Sequence, residues 1–275
     1  DQRPVVLWLN AILIGLTLGA ICSRAGRRIF VVGKFGWHDV MITIAAISGT
    51  VFSICQMVGT TLGLGLHRDR VSDDNLENMY AQLVLASNSF YFLCNWAVKH
   101  ALLLFYSEIT RERKHLWSIY FMHFVAFGFG ISSIFVNLFQ CNPFSKAWDS
   151  DASGTCVRMD IFFYYNASMM LATDMVLYAM PVIFTRKLQL RRPQRIGLNC
   201  LFALGGLVLA VSGVRVWAVY MFNTHDDFPY WFANIMIWSV LENHVAVVVA
   251  CAPSMKVAAL LIFPRMFSSV GKIMS

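Results

Sequence analysis

The chain predicts an all-α fold: a bundle of seven membrane-crossing helices, with the N-terminus outside and the C-terminus in the cytosol. Three observations predict it. The composition is 58% hydrophobic and 13% charged, with mean hydropathy +0.60, whereas soluble domains carry about 25% charge. Seven apolar runs are each long enough to cross a bilayer core, which takes roughly 20 residues as a helix. Lys and Arg are shared unequally between the two sets of connecting segments, and that asymmetry sets orientation.

The runs lie at 4–23, 39–66, 80–106, 117–140, 159–185, 196–222 and 229–255, and residues 1–275 read as one domain. The chain starts at Asp1 rather than Met, so a missing or processed start is expected. After the first run, loop 24–38 carries Arg24, Arg27, Arg28 and Lys34. The segment after the second is acidic as well as basic, with Asp69, Asp73, Asp74 and Glu77 beside Arg68 and Arg70. Loop 107–116 carries Arg111, Arg113 and Lys114, and the segment 141–158 carries Cys141, Pro143, Trp148, Asp149, Asp151 and Cys156. Loop 186–195 carries Arg186, Lys187, Arg191, Arg192 and Arg195. Asp226 and Asp227 separate the last two runs, and the tail carries Lys256, Arg265 and Lys272. Of 22 Lys and Arg residues, 15 fall on the side of loop 24–38 and five on the other; Lys99 and Arg215 lie inside runs. The richer side is assigned to the cytosol.

The net charge of +7 and pI near 9.1 do not point to nucleic acid, because the basic residues punctuate short loops between apolar runs. The partner they imply is the lipid bilayer, in a multi-pass protein of the plasma membrane or an endomembrane. No internal repeat or low-complexity segment is visible, which argues against an inverted-repeat transporter. Cys141 and Cys156 share an outer, oxidising segment, so a bridge between them is expected to pin that segment as a cap. The sequon Asn166-Ala167-Ser168 lies too deep in a run to be glycosylated.

Four isolated charges inside apolar runs carry the functional argument: Lys99, Asp174, Arg215 and Glu242. A charge at the bilayer centre costs about 2.5–3.5 kcal/mol on insertion scales and is normally paired. Residues three, four or seven apart share a helix face. Asn88, Asn95 and Lys99 form one stripe; Asp174 and Tyr178 another; Ser212 lies beside Arg215; Trp231, Trp238 and Glu242 line up in the last run. Such stripes face the bundle interior, since lipid satisfies no polar group. Taking about 1.5 Å per residue, Lys99 lies about 12 Å from the cytosolic end, Asp174 about 18 Å and Glu242 about 21 Å, with Arg215 nearer the outer face. Depth favours Lys99 with Asp174 and Arg215 with Glu242, while a swapped pairing stays open. The four charges read either as ion pairs that fix helix register or as a polar site in an aromatic-lined cavity.

His100, His123 and His244 sit in or near three different runs and would make a zinc hydrolase only if they converged. No HExxH motif and no close His pair on one face supports a metal, and none is assigned.

An ordered set of motifs is recognisable: R-A-G-R-R and G-W-H-D-V across 24–40, G-L-G-L-H at 63–67, K-H-A-L-L-L-F-Y-S-E-I at 99–109, F-Q-C-N-P-F-S-K-A-W with G-T-C across 139–156, T-D-M-V-L-Y-A-M-P at 173–181, S-G-V-R at 212–215, W-S-V-L-E at 238–242 and A-C-A-P at 250–253. In that order they resemble the rhodopsin-domain family of filamentous fungi, seven-helix integral membrane proteins related to Pth-type receptors. The resemblance runs from about Arg24 to Pro253. It implies Lys99, Asp174, Arg215 and Glu242 as intramembrane charges and Cys141 with Cys156 as the outer-loop pair. Three positions depart from the family pattern: His38 stands where the first of two Asp is usual, His100 and Ala101 follow Lys99 where a small hydroxyl residue is common, and His244 is atypical. Retinal is not implied, because it needs a Lys in mid-span seven and Lys256 lies at the cytosolic end.

Two readings follow. In the first, a receptor-like protein binds an apolar or amphipathic small molecule through Asn95, Lys99, Tyr178, Arg215, Trp231 and Trp238. A shift of the charge pairs then moves the cytosolic helix ends toward a signalling partner. The chain lacks D-R-Y-like and N-P-x-x-Y-like signatures, so G-protein coupling rests on analogy. In the second, an intramembrane cyclase or isomerase needing no cofactor uses Glu242 or Asp174 as the acid on a lipophilic secondary metabolite. Tyr178, Trp231 and Trp238 would then shield developing positive charge. The discriminating feature is whether both acids are fully paired.

Overall fold

A computed structural model describes residues 1–110, 112–147, 153–185, 192–225 and 227–262. The first helix, α1 (Arg3–Arg27), has Pro4 in its opening turn, where the missing N–H costs nothing. Its buried residues Val6, Asn10, Leu13, Thr17, Ala20 and Arg24 recur every three or four positions, so one narrow stripe meets the bundle. Trp8, Ile12 and Leu16 point outward, as suits a helix in contact with lipid. A wider turn over Arg28–Val32 ends at Gly33, whose φ of +70° needs glycine.

Helix α2 (Trp37–Gly59) starts where the Asp39 carboxylate accepts the Gly36 N–H at 3.0 Å. A short α3 (Asp73–Met79) runs through wide turns over Tyr80–Ser87 into α4 (Asn88–Ile109), giving one continuous rod. Wide turns leave the ordinary helical bond pattern. Here the Leu85 carbonyl is met by Asn137 Nδ2 at 3.0 Å, a side chain of the next helix, α5 (Arg113–Leu138). A two-residue hairpin follows, β1 (Cys141–Asn142) against β2 (Thr155–Cys156), antiparallel with Cys141 opposite Cys156 and the two joined by a disulfide. The hairpin residues are mostly exposed. Then come α6 (Met159–Thr185), α7 (Arg192–Thr224) and α8 (Phe228–Ile262).

Among the described residues, six helical stretches are long and apolar enough to cross a membrane: Arg3–Phe30, Trp37–Leu62, Arg113–Leu138, Met159–Phe184, Phe202–Thr224 and Phe228–Ala252. With the α3–α4 rod they form an all-α, seven-rod bundle. Helix α8 lies at its centre, touching α1, α2, α4 and α7, and α2 packs along α4. The main core joins Phe52, Tyr91, Phe92, Met170, Phe232 and Met236. Helix α5 is peripheral: Trp117, Tyr120, Phe121 and Phe124 are 59–77% exposed. That surface is suited to acyl chains, which are as apolar as the side chains themselves. Its inner contact with α4 depends on Gly130, where a Cβ would collide with the Trp96 ring.

Candidate functional site

The four intramembrane charges sit on four helices, α4, α6, α7 and α8, and meet inside the bundle. Lys99, Arg215 and Glu242 are 6%, 3% and 1% exposed. Lys99 Nζ lies 2.6 Å from Asp174 Oδ1, donates to Thr173 Oγ1 at 2.6 Å and reaches the Met170 carbonyl at 3.3 Å. An ammonium has three hydrogens, so these three acceptors satisfy it completely. Arg215 Nη1 lies 3.1 Å from Glu242 Oε2. Glu242 also accepts the Tyr91 hydroxyl at 3.0 Å and the Ser212 hydroxyl at 2.7 Å. The pairing is therefore Lys99 with Asp174 and Arg215 with Glu242.

Ser212 joins the two pairs. Its Oγ stands 2.7 Å from Glu242 Oε1 and 3.5 Å from Asp174 Oδ2. A hydroxyl has one hydrogen, and the shorter contact takes it, leaving Asp174 Oδ2 a weak one. Buried ion pairs recover their desolvation cost only when the remaining hydrogen-bonding atoms are also satisfied. By that criterion Lys99 and Glu242 are closed and Arg215 is open. Its Nε and Nη2 have no partner among the described residues. The Tyr91 ring lies over the guanidinium face, 5.0 Å from Cζ, and does not meet the N–H groups that radiate in the guanidinium plane.

Arg215 borders a cleft of about 30 Å³ lined chiefly by α4, α6, α7 and α8, with Phe92, Phe163, Phe232 and Met236 among its walls. The part deep enough for a water-sized group takes on the order of two such groups. Asn88, 3% exposed, also lines it, and its Nδ2 has no partner among the described residues.

Of the six residues read from sequence as ligand contacts, Arg215 alone borders this cleft. Asn95 donates to Asn243 Oδ1 at 2.6 Å, one turn further along α4. Lys99 is enclosed by its acceptors. Tyr178 packs on α7 at Gly205 and edge-on to Phe202. Trp231 stacks near His225 with centroids 4.5 Å apart, and Trp238 packs against the main core. The histidines do not converge. His244 is held by Thr17 Oγ1 and Ser53 Oγ, each at 2.7 Å, whereas His100 and His123 face each other with Nδ1 atoms 2.7 Å apart. No group of three metal-ligating side chains is found among the described residues. Asn166 of the sequon is buried and donates to Ser133 at 2.6 Å. Arg111, Trp148, Asp149, Asp151, Asp226, residues 186–191 of the basic loop, Arg265 and Lys272 lie outside the described residues.

Sequence reasoning missed two partners and one whole cluster. Tyr91 was legible, standing four and eight residues before Asn95 and Lys99 on the same stripe. Ser212 was noted only as a neighbour of Arg215. The cluster surrounds Asp39, which is 2% exposed. Arg24 Nη2 and Arg28 Nε approach its two oxygens at 2.8 and 2.7 Å, and His38 Nε2 lies 3.3 Å away. Arg28 also contacts the His38 ring. Arg24 reaches across to the Ala250 carbonyl of α8 at 2.9 Å, and His38 Nδ1 reaches Glu108 of α4 at 2.9 Å. From sequence alone, Arg24 and Arg28 count as loop charges that set orientation. Their spacing of four residues was the available signal.

Comparison with known proteins agrees with this architecture. Residues 23–260 match the fungal rhodopsin domain, and the chain belongs to that family. It is 26% identical to the SAT4 family membrane protein of Emericella nidulans over 73% of this chain and 50% of that protein. It is 24% identical to the polyenoic acids biosynthesis gene cluster protein Ba17b of Metarhizium anisopliae, over 88% of this chain and 70% of the relative. It is 22% identical to Receptor GIN3 of Arthrobotrys oligospora, over 99% of this chain and 66% of the relative. The chain thus spans half the length of the SAT4 family relative. No solved structure matches it.

Proposed function

We propose that this multi-pass protein is a receptor-like binder of an apolar or amphipathic small molecule. The observation that carries the reading is that each carboxylate is paired with a buried cation: Glu242 is held by Arg215, Tyr91 and Ser212, and Asp174 by Lys99. Acids paired with buried cations are poor proton donors, whereas linked ion pairs on four helices make a two-state element that a ligand can bias. The orientation that fits the loop charges has the N-terminus outside, which puts the Asp39 cluster at the cytosolic end. Glu242 and Ala250 share α8, about 12 Å apart at the helical rise. A ligand that shifts the Arg215–Glu242 contact would move the carbonyl that Arg24 holds and so reach a cytosolic signalling partner. The receptor name of one relative supports this reading.

The second reading is an intramembrane acid–base enzyme acting on a lipophilic secondary metabolite. Its support is the weakly contacted Asp174 Oδ2 and the biosynthesis-cluster names of several relatives.

Mass spectrometry of lipid extracts and of purified protein from a fungal host separates the two. It would compare wild type, Glu242→Gln and empty vector, with lipophilic precursors supplied. The receptor reading expects a compound that co-purifies with wild type and is lost from Glu242→Gln, and no new product. A product formed only with wild type would overturn it in favour of the enzyme.

A further inference from the structure

We propose that the cleft beside Arg215 is a site for a neutral hydrogen-bond acceptor, a ketone, ester or lactone carbonyl carried on a hydrocarbon skeleton. The inference rests on the ligand-binding reading above and names the chemistry of the ligand's polar end.

The walls of the cleft are mostly apolar, and its polar groups divide into two sets. Ser239 Oγ donates to the Ile235 carbonyl at 2.8 Å, Asn166 Nδ2 donates to Ser133 at 2.6 Å and the Tyr91 hydroxyl donates to Glu242 Oε2 at 3.0 Å, so these three donors are occupied within the protein. Asn88 Nδ2 and Arg215 Nε and Nη2 are buried and without partner among the described residues. All three are donors. Buried donors left unmet are rare in folded proteins and call for an acceptor. A few polar groups converging in an apolar cleft is the usual anatomy of a small-molecule site.

Charge decides which acceptor. Two cations and two carboxylates already pair off, leaving the network neutral. A carboxylate ligand would place a third, uncompensated anion beside Glu242 in an environment that poorly solvates charge. A carbonyl oxygen offers the same lone pairs without the charge. Size agrees: the deep part of the cleft takes about two water-sized groups, enough for a carbonyl and its neighbours. Asn88 opens α4, Phe163 lies in the first turns of α6 and Phe232 in those of α8. The site therefore lies toward the end of α6 that the disulfide hairpin precedes.

The test uses the full chain in lipid nanodiscs with three twelve-carbon probes: 2-dodecanone labelled with ¹³C at the carbonyl, dodecane and dodecanoate. Binding is measured directly, and the labelled carbonyl is followed by infrared spectroscopy. Wild type should bind the ketone at least tenfold more tightly than either other probe and shift its carbonyl band to lower frequency. Asn88→Leu and Arg215→Lys should each weaken ketone binding about tenfold and diminish the shifted band. Val219→Phe, which fills the wall without touching a polar group, should abolish binding. Asn88→Leu and Val219→Phe leave both ion pairs in place, so the outcome stands even if Arg215→Lys fails to fold. Equal binding of ketone and alkane, tighter binding of dodecanoate, or a shifted band unchanged by Asn88→Leu would each overturn the proposal. If those results came with a compound still co-purifying with wild type and lost from Glu242→Gln, the ligand-binding reading would survive and only the acceptor assignment would fall.

Discussion

The molecule gathers buried charge in two places, and they are built on opposite plans. At the end of α1, one carboxylate, Asp39, takes two guanidiniums and a histidine, and Arg24 and His38 reach on to α8 and α4. Within the bundle, two carboxylates and two cations come one from each of four helices, and a serine hydroxyl touches both acids. The first cluster is contiguous in sequence, with Arg24, Arg28, His38 and Asp39 inside 16 residues. The second is assembled from residues as far apart as Lys99 and Glu242. In the first, both Asp39 oxygens have cationic partners. In the second, Arg215 borders a cleft and keeps two buried N–H groups without partner among the described residues. A cluster with cations in excess around one acid acts as a fastener. A balanced network with a spare donor edge has something left to bind.

The largest break in this comparison should come from Asp39→Ala, which strands Arg24 and Arg28 together. Losing one side of a buried ion pair costs about 3–5 kcal/mol, and two stranded cations put this variant at the upper end, about 5 kcal/mol. Thermal unfolding in detergent should show little folded protein; a midpoint within a few degrees of wild type would mean that the cluster is solvated and fastens nothing.

Asp174→Ala should cost somewhat less, about 3 kcal/mol, because Lys99 keeps Thr173 and the Met170 carbonyl. Adding Lys99→Ala should restore part of that loss, a positive coupling readable from the double-mutant cycle. A double variant no more stable than Asp174→Ala would contradict a direct pair.

Ser212→Ala sharpens the comparison, since it removes a hydroxyl that touches both acids. A hydrogen bond to a charged acceptor is worth about 1.5–3 kcal/mol, so a loss of about 2 kcal/mol is expected. The coupling between Lys99→Ala and Arg215→Ala should also fall, and coupling that persists would assign the link to another route.

Tyr91→Phe should be mildest, about 1.5 kcal/mol at the lower end of that range, because Glu242 Oε2 keeps Arg215. Unfolding by SDS titration should separate it from wild type and leave it more stable than Ser212→Ala. The reverse order would make the phenol, not the serine, the main neutral donor to Glu242.

How much of this was legible beforehand depended on the kind of physics involved. The all-α, multi-pass fold was readable because lipid imposes one rule on every residue in a span, so apolar length speaks for itself. The four interior charges were readable for the same reason: a charge in an apolar run is conspicuous without knowing its neighbours. The cysteine bridge was readable because both cysteines share one short connecting segment. Helix rotation was not readable. Tyr178, Trp231 and Trp238 share faces with charges along their own helices, yet the neighbouring helices place them against Gly205, His225 and the main core. A stripe defines a face, and only packing says what that face meets.

The sequence by itself determined the fold class, the identity of the four buried charges and the bridged cysteines, because each follows from the cost of placing one residue in lipid or from two cysteines sharing one short connecting segment. Tertiary structure alone decided the rest: that Ser212 lies between the two acids, that Asp39 collects Arg24 and Arg28, and that Asn88 and Arg215, each with unmet donors among the described residues, line one cleft. Those outcomes depend on pairs and triplets of groups, set by the relative rotation and depth of helices that are distant in sequence. No single residue's solvation energy encodes that arrangement.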